Sequence, residues 1–105
     1  MSEETEQEQQ QSDEITLSHR ITGSLPGERQ LTRPLDVVIA YDDGEVIVSE
    51  PRFHIHAVGT TRVEALTEFR RILSEELDEL AADEEELGPR LQLELQYLRS
   101  LIRTA

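Results

Sequence analysis

The chain has 105 residues, room for one domain and no more, and its 23 acidic against 10 basic residues give a formal net charge of -13. Every basic residue is arginine, and a body this acidic repels a phosphate backbone, so nucleic acid is disfavoured through its own surface and a basic protein partner is favoured. The absence of cysteine removes disulfides, thiolate chemistry and Cys-based zinc sites together.

Residues 1–14, MSEETEQEQQQSDE, hold no aliphatic residue after the initiator Met, and a segment that cannot bury apolar surface is expected to stay disordered. The segment lacks the apolar core of a signal peptide, and no apolar run elsewhere reaches membrane-spanning length, so a cytoplasmic protein is expected. An acidic proteome, as in salt-loving organisms, would give the same composition without a functional reason.

From Ile15 to Thr22 the residues alternate, Ile15, Leu17, His19 and Ile21 against Thr16, Ser18, Arg20 and Thr22, which predicts a half-buried strand ending at Gly23. Residues 23–34, with two Gly and two Pro, read as a loop. The next stretch, LDVVIAYDDGEVIVSE, puts Leu35, Val37, Ile39 and Tyr41 on one face, turns at Asp42-Asp43-Gly44, and returns through Val46, Ile47 and Val48. Asp-Gly between two β-rich runs predicts a type I′ hairpin. Pro51 ends the second strand or places it at an edge, and RFHIHAV, Arg52–Val58, is read as a third, with Phe53, Ile55 and Ala57 on one face and His54, His56 and Val58 on the other.

Gly59 releases the chain into a helix expected over 61–81. Thr61 and Glu64 fit a capping box, the Thr61 hydroxyl accepting from the Glu64 amide and the Glu64 carboxylate from the Thr61 amide. Val63, Leu66, Phe69, Leu73, Leu77 and Leu80 form its apolar stripe, opposite Glu68, Arg71, Glu75, Asp78 and Glu79. After a short acidic turn, Asp83–Glu86, and Gly88, a second helix is expected from Pro89, with no strand following. Its apolar residues spread over a wide arc: Leu91, Leu95, Leu98 and Ile102 in one stripe, Leu93, Tyr97 and Leu101 in another.

The expected fold is α+β: a small antiparallel sheet of three or four strands, one helix packed on a face, and a C-terminal helix. The other face still shows Val38, Ala40, Val46 or Ile47, which the C-terminal helix or a second subunit must cover, and a homodimer is expected.

The candidate chemistry is sparse. His54 and His56, two residues apart on a strand, would sit about 6.5–7 Å apart. They could share a zinc only with further ligands, and Glu50 and His19 are poorly placed to supply them. Asp42, Asp43 and Glu45 are explained by the hairpin tip. No Gly-rich phosphate loop or nucleophile elbow is present. No enzyme, cofactor or metal is expected. Partner contacts are expected instead from His54 and His56 on the exposed sheet face, from Glu75 and Glu79 in the acidic 75–86 segment, and from Leu91, Leu95, Leu98 and Ile102 on the C-terminal helix.

The run Gly59-Thr60-Thr61-Arg62-Val63-Glu64-Ala65-Leu66, after a short β-meander with an acidic Asp-Gly hairpin, resembles the HicB-like antitoxin family. That family's recognisable segment is a Gly-polar-Thr-x-x-Glu-Ala-Leu run opening the helix after the third strand. The resemblance covers roughly residues 34–81. It implies a β-β-β-α unit like a truncated RNase H-type fold without catalytic carboxylates, here with an extra N-terminal strand over 15–86 and the amphipathic helix at 87–105. It implies further that the chain neutralises a small basic RNase toxin as part of a toxin-antitoxin system. A free-standing dimeric structural or regulatory protein of the same fold is the alternative. Two features depart from the family: the Pro-x-Leu-Pro-Gly-Cys-like segment before the helix is missing, and nothing after residue 81 reads as a DNA-binding module.

Overall fold

The computed structural model describes residues 14–105, so the disorder expected of the acidic tail concerns residues outside the described part. The fold is α+β. Strand β1, Glu14–Ile21, starts at the last residue assigned to the tail. The short strands β2, Ser24–Leu25, and β3, Arg29–Leu31, follow, then β4, Leu35–Asp42, β5, Glu45–Glu50, and β6, Ile55–Gly59. Helix α1, Arg62–Ala82, a 3-10 turn at Glu84–Glu86, helix α2, Pro89–Leu101, and strand β7, Ile102–Thr104, complete the order.

The main sheet is antiparallel in the order β1-β4-β5-β6. Its central hairpin is the one the Asp-Gly pair predicts: Asp42 opposes Glu45, and Asp43 and Gly44 take φ of 49° and 81°, the positive values a type I′ turn requires. Register places Leu17, Ile39, Val48 and Ala57 in one row across all four strands, facing α1. Ile39, Val48 and Ala57 meet Ala65, Phe69 and Leu73 of the helix in the core. Val46 lies on this buried side and not on the open face.

Gly59 joins sheet to helix. A Cβ there would lie 2.6 Å from the Ala65 amide nitrogen, so only glycine lets β6 approach the first turn of α1 this closely. Thr61 caps the helix as expected, its hydroxyl accepting from the Glu64 amide at 3.1 Å. The return contact differs: the Glu64 carboxylate accepts from the Thr60 amide at 2.9 Å, one residue earlier than a capping box specifies. Val63 leaves the stripe altogether and is 75% exposed.

Three expectations are corrected outright. Residues 23–34 are not simply a loop, because β2 and β3 lie within them and β3 pairs with β7, giving a second three-stranded sheet, β2-β3-β7. A strand therefore does follow α1 and α2, and Ile102 belongs to it and not to the helix. The third meander strand is shorter than Arg52–Val58: it begins at Ile55, and Arg52, Phe53 and His54 form a turn. The cause is Glu50, a buried acid whose carboxylate accepts from the amides of Arg52 and Phe53 at 3.0 and 2.9 Å, curling the chain back after Pro51.

Helix α2 packs against α1 and β7, not over the open face of the main sheet. Its Leu95, Leu98 and Leu101 are buried in the common core with Ile102. Arg29 is a polar tie between the small sheet and α1: its guanidinium donates to the Ser74 hydroxyl at 2.9 Å and pairs with Asp78, while the Ser74 hydroxyl donates to the Pro26 carbonyl.

Candidate partner-binding surface

The sequence-predicted contact residues separate into three groups. Leu95, Leu98 and Ile102 are core residues of this chain and offer no surface, which corrects their assignment to a partner stripe. The apolar arc of the helix is wide because two of its sides are buried, one against α1 and one against the β3–β7 sheet. Leu91 remains 40% exposed, beside the more exposed Leu93.

The histidines are near each other, but not as a pair on a strand. His54 lies in the turn with φ of 61°, and the His56 Nδ1 lies 3.3 Å from the His54 carbonyl oxygen. Both side chains are exposed. With Ile47, Ser49, Glu50 and Pro51 they line an open cavity of about 330 Å³ at the open side of the sheet. Half-buried Val38, Ala40 and Ile47 and exposed Val58 continue that face. Among the described residues no group of three or more His, Asp or Glu is placed to hold a metal ion.

Glu75 and Glu79 lie on the exposed side of α1. Arg71 bridges Glu68 and Glu75 one turn to either side, and this pairing holds the Glu68 carboxyl below its usual range. Past the helix end, Asp83, Glu84, Glu85 and Glu86 are all exposed. Arg99 of α2 grips Glu84 with two hydrogen bonds of 2.9 and 2.8 Å, which lowers the Glu84 pKa and ties the acidic turn to the second helix. The carboxylates at 75–86 thus form a ridge of one sign, with Arg71, Arg29 and Arg99 set against it in ion pairs with Glu75, Asp78 and Glu84.

Sequence reasoning missed the buried carboxyls. Glu94 is 3% exposed, and its Oε2 has no hydrogen-bond partner in the described structure. Burial, then Glu76 as hydrogen-bond partner and like charge, then Glu50, raise its pKa to about 8, and Arg90 offsets this only in part. A signal was available: Glu94 interrupts the helical series Leu87, Leu91, Leu98, Leu101, and Glu50 shares strand parity with Val46 and Val48. Beside them Tyr97 stacks on Phe53 at 5.2 Å between ring centres, with the Arg52 guanidinium 5.0 Å from its ring. Burial, with the Glu50 charge second, raises the Tyr97 pKa.

Among the described residues, no helix is long and apolar enough to cross a membrane. Compared with family models, curated proteins and solved structures, the chain matches none.

Proposed function

We propose that the chain is a non-enzymatic, HicB-like antitoxin that binds and neutralises a small basic RNase toxin. The observation that carries this reading is the exposed acidic ridge from Glu75 to Glu86, presented by the end of α1 and the 3-10 turn. A ridge of one sign complements a basic surface and speeds encounter with it. The open sheet face, with Ile47, His56 and Val58, supplies apolar surface of the kind that makes such an encounter stable. The test is co-expression with a small basic protein encoded beside this one, followed by pull-down and titration of its RNase activity. Stoichiometric capture and loss of RNase activity support the proposal; no complex at micromolar concentration sinks it. Replacing Glu84, Glu85 and Glu86 together by Gln should weaken capture and flatten its salt dependence.

A second reading, a free-standing dimeric structural or regulatory protein, is favoured by one observation. Ile15 and Leu17 stay 55% and 41% exposed although they lie on the same side of the sheet as the core.

A further inference from the structure

We infer that two copies of the chain join through β1, antiparallel and edge to edge about a two-fold axis at Leu17, merging their main sheets into one continuous sheet. This rests on the dimer reading above and names its surface and register. Strand β1 is eight residues long and pairs with β4 over its whole length without a bulge. Its other edge pairs with no strand among the described residues. Soluble proteins guard such an edge with proline, a bulge, charge or shortness; β1 has no proline and no bulge, and its charges, Glu14 and Arg20, flank an uncharged centre, Ile15–His19. The opposite edge of the sheet, β6, is only five residues long.

The exposure of Ile15 and Leu17 has a plain geometric origin. Helix α1 lies chiefly over β5 and β6, so the β1 side of the same face is left bare. Charge narrows the choice of occupant. Residues 15–105 carry 10 basic and 17 acidic side chains, so copies of the body repel over most of their surfaces. Ile15–His19 contains no Asp, Glu or Arg, and the flanking charges Glu14 and Arg20 are of opposite sign, Arg20 being paired with Asp36 at 2.9 Å. Two copies can meet there without opposing like charges.

The sequence also fits itself in one register. With Leu17 on the axis, Leu17 meets Leu17 of the second copy, Ile15 meets His19, and Thr16 meets Ser18. The apolar shelf doubles on one face, and hydroxyl pairs form on the other. A slip of one residue sets Ile15 against Arg20 and Leu17 against Ser18, joining apolar to polar positions.

The chain has no cysteine, so a single one reports its own neighbourhood. Opposed residues on antiparallel strands have Cα atoms about 4.5–5.5 Å apart, within reach of a disulfide. Leu17→Cys should therefore oxidise to a covalent dimer, read on a non-reducing gel, roughly tenfold or more faster than Leu93→Cys, whose site is 60% exposed on α2. Leu17→Glu places two carboxylates face to face on the axis and should raise the dimer dissociation constant by roughly tenfold or more in light scattering coupled to gel filtration, with an unchanged circular dichroism spectrum. A wild-type dimer that ignores Leu17→Glu, with no preference for Leu17→Cys, overturns this interface while leaving the dimer reading intact. Preferential cross-linking of Ser18→Cys overturns the register. A wild-type chain that stays monomeric at ~100 μM overturns both the interface and the dimer reading.

Discussion

Replacing Glu94 by Gln keeps the shape of a buried side chain and removes its ability to ionise. In the native fold this carboxyl holds its proton up to about pH 8, against an ordinary value of 4.5, because it is buried beside Glu76 and Glu50. The sign follows from linkage. The folded state binds the proton more tightly than the unfolded chain, so the contribution to stability is fully present below pH 4.5 and is lost as pH rises through 8. One pKa unit corresponds to about 1.4 kcal/mol, which caps the loss near ~5 kcal/mol. Relaxation around the site and water reaching it bring the expected loss to about 2 kcal/mol. Glu94→Gln escapes this loss, since its neutral amide has no proton to lose and still offers a donor toward Glu76. Thermal melts of both proteins at pH 5, 7 and 8.5 should show a gap that widens with pH in favour of the variant. At pH 8.5 the gap should exceed that at pH 5 by on the order of 10 °C, as expected for a domain of this size. A gap that does not change with pH would refute the reasoning, because the common repulsion of an acidic surface acts on both proteins alike.

Gly59→Ala should destabilise the fold by about 1–3 kcal/mol, because the new methyl group meets the Ala65 backbone at 2.6 Å; a variant as stable as the wild type in urea would show that α1 can shift freely on β6. Thr61→Ala should cost about 1 kcal/mol through the lost hydrogen bond to the Glu64 amide, and an unchanged melting temperature would place the helix start elsewhere. His54→Gly should stabilise by about 0.5–1 kcal/mol, since φ of 61° suits glycine; a loss of stability instead would mean that the imidazole itself holds the turn.

How much was legible depended on whether each structural cause was local. The β4–β5 hairpin follows from two adjacent residues, Asp43 and Gly44, and the start of α1 from Thr61 and Gly59, so all four could be read directly. Strands β2, β3 and β7 were invisible because each is only two or three residues long, and the sheet they form is completed by pairing across a long separation, Arg29 with Thr104 and Leu31 with Ile102. The turn after Pro51 was misread as strand because its cause is a side-chain contact from Glu50 that no alternation pattern encodes. Of the candidate site, exposed charges such as Glu75 and Glu79 stayed where polarity puts them. Leu95, Leu98 and Ile102 did not, since periodicity tells which residues turn inward but not whether the covering surface belongs to the same chain.

The pairing of β3 with β7 also sets an order on the making of the protein. Arg29 waits for Thr104, emerging 75 residues later, which at ribosomal speeds of about 5–20 residues per second is a delay of roughly 4–15 s. During that interval Leu25 and Leu31 have no finished sheet to enter, while the β4–β5 hairpin and α1 can already form. The last strand acts as a latch, and nascent chains stalled before Ile102 should expose these leucines to chaperones and proteases.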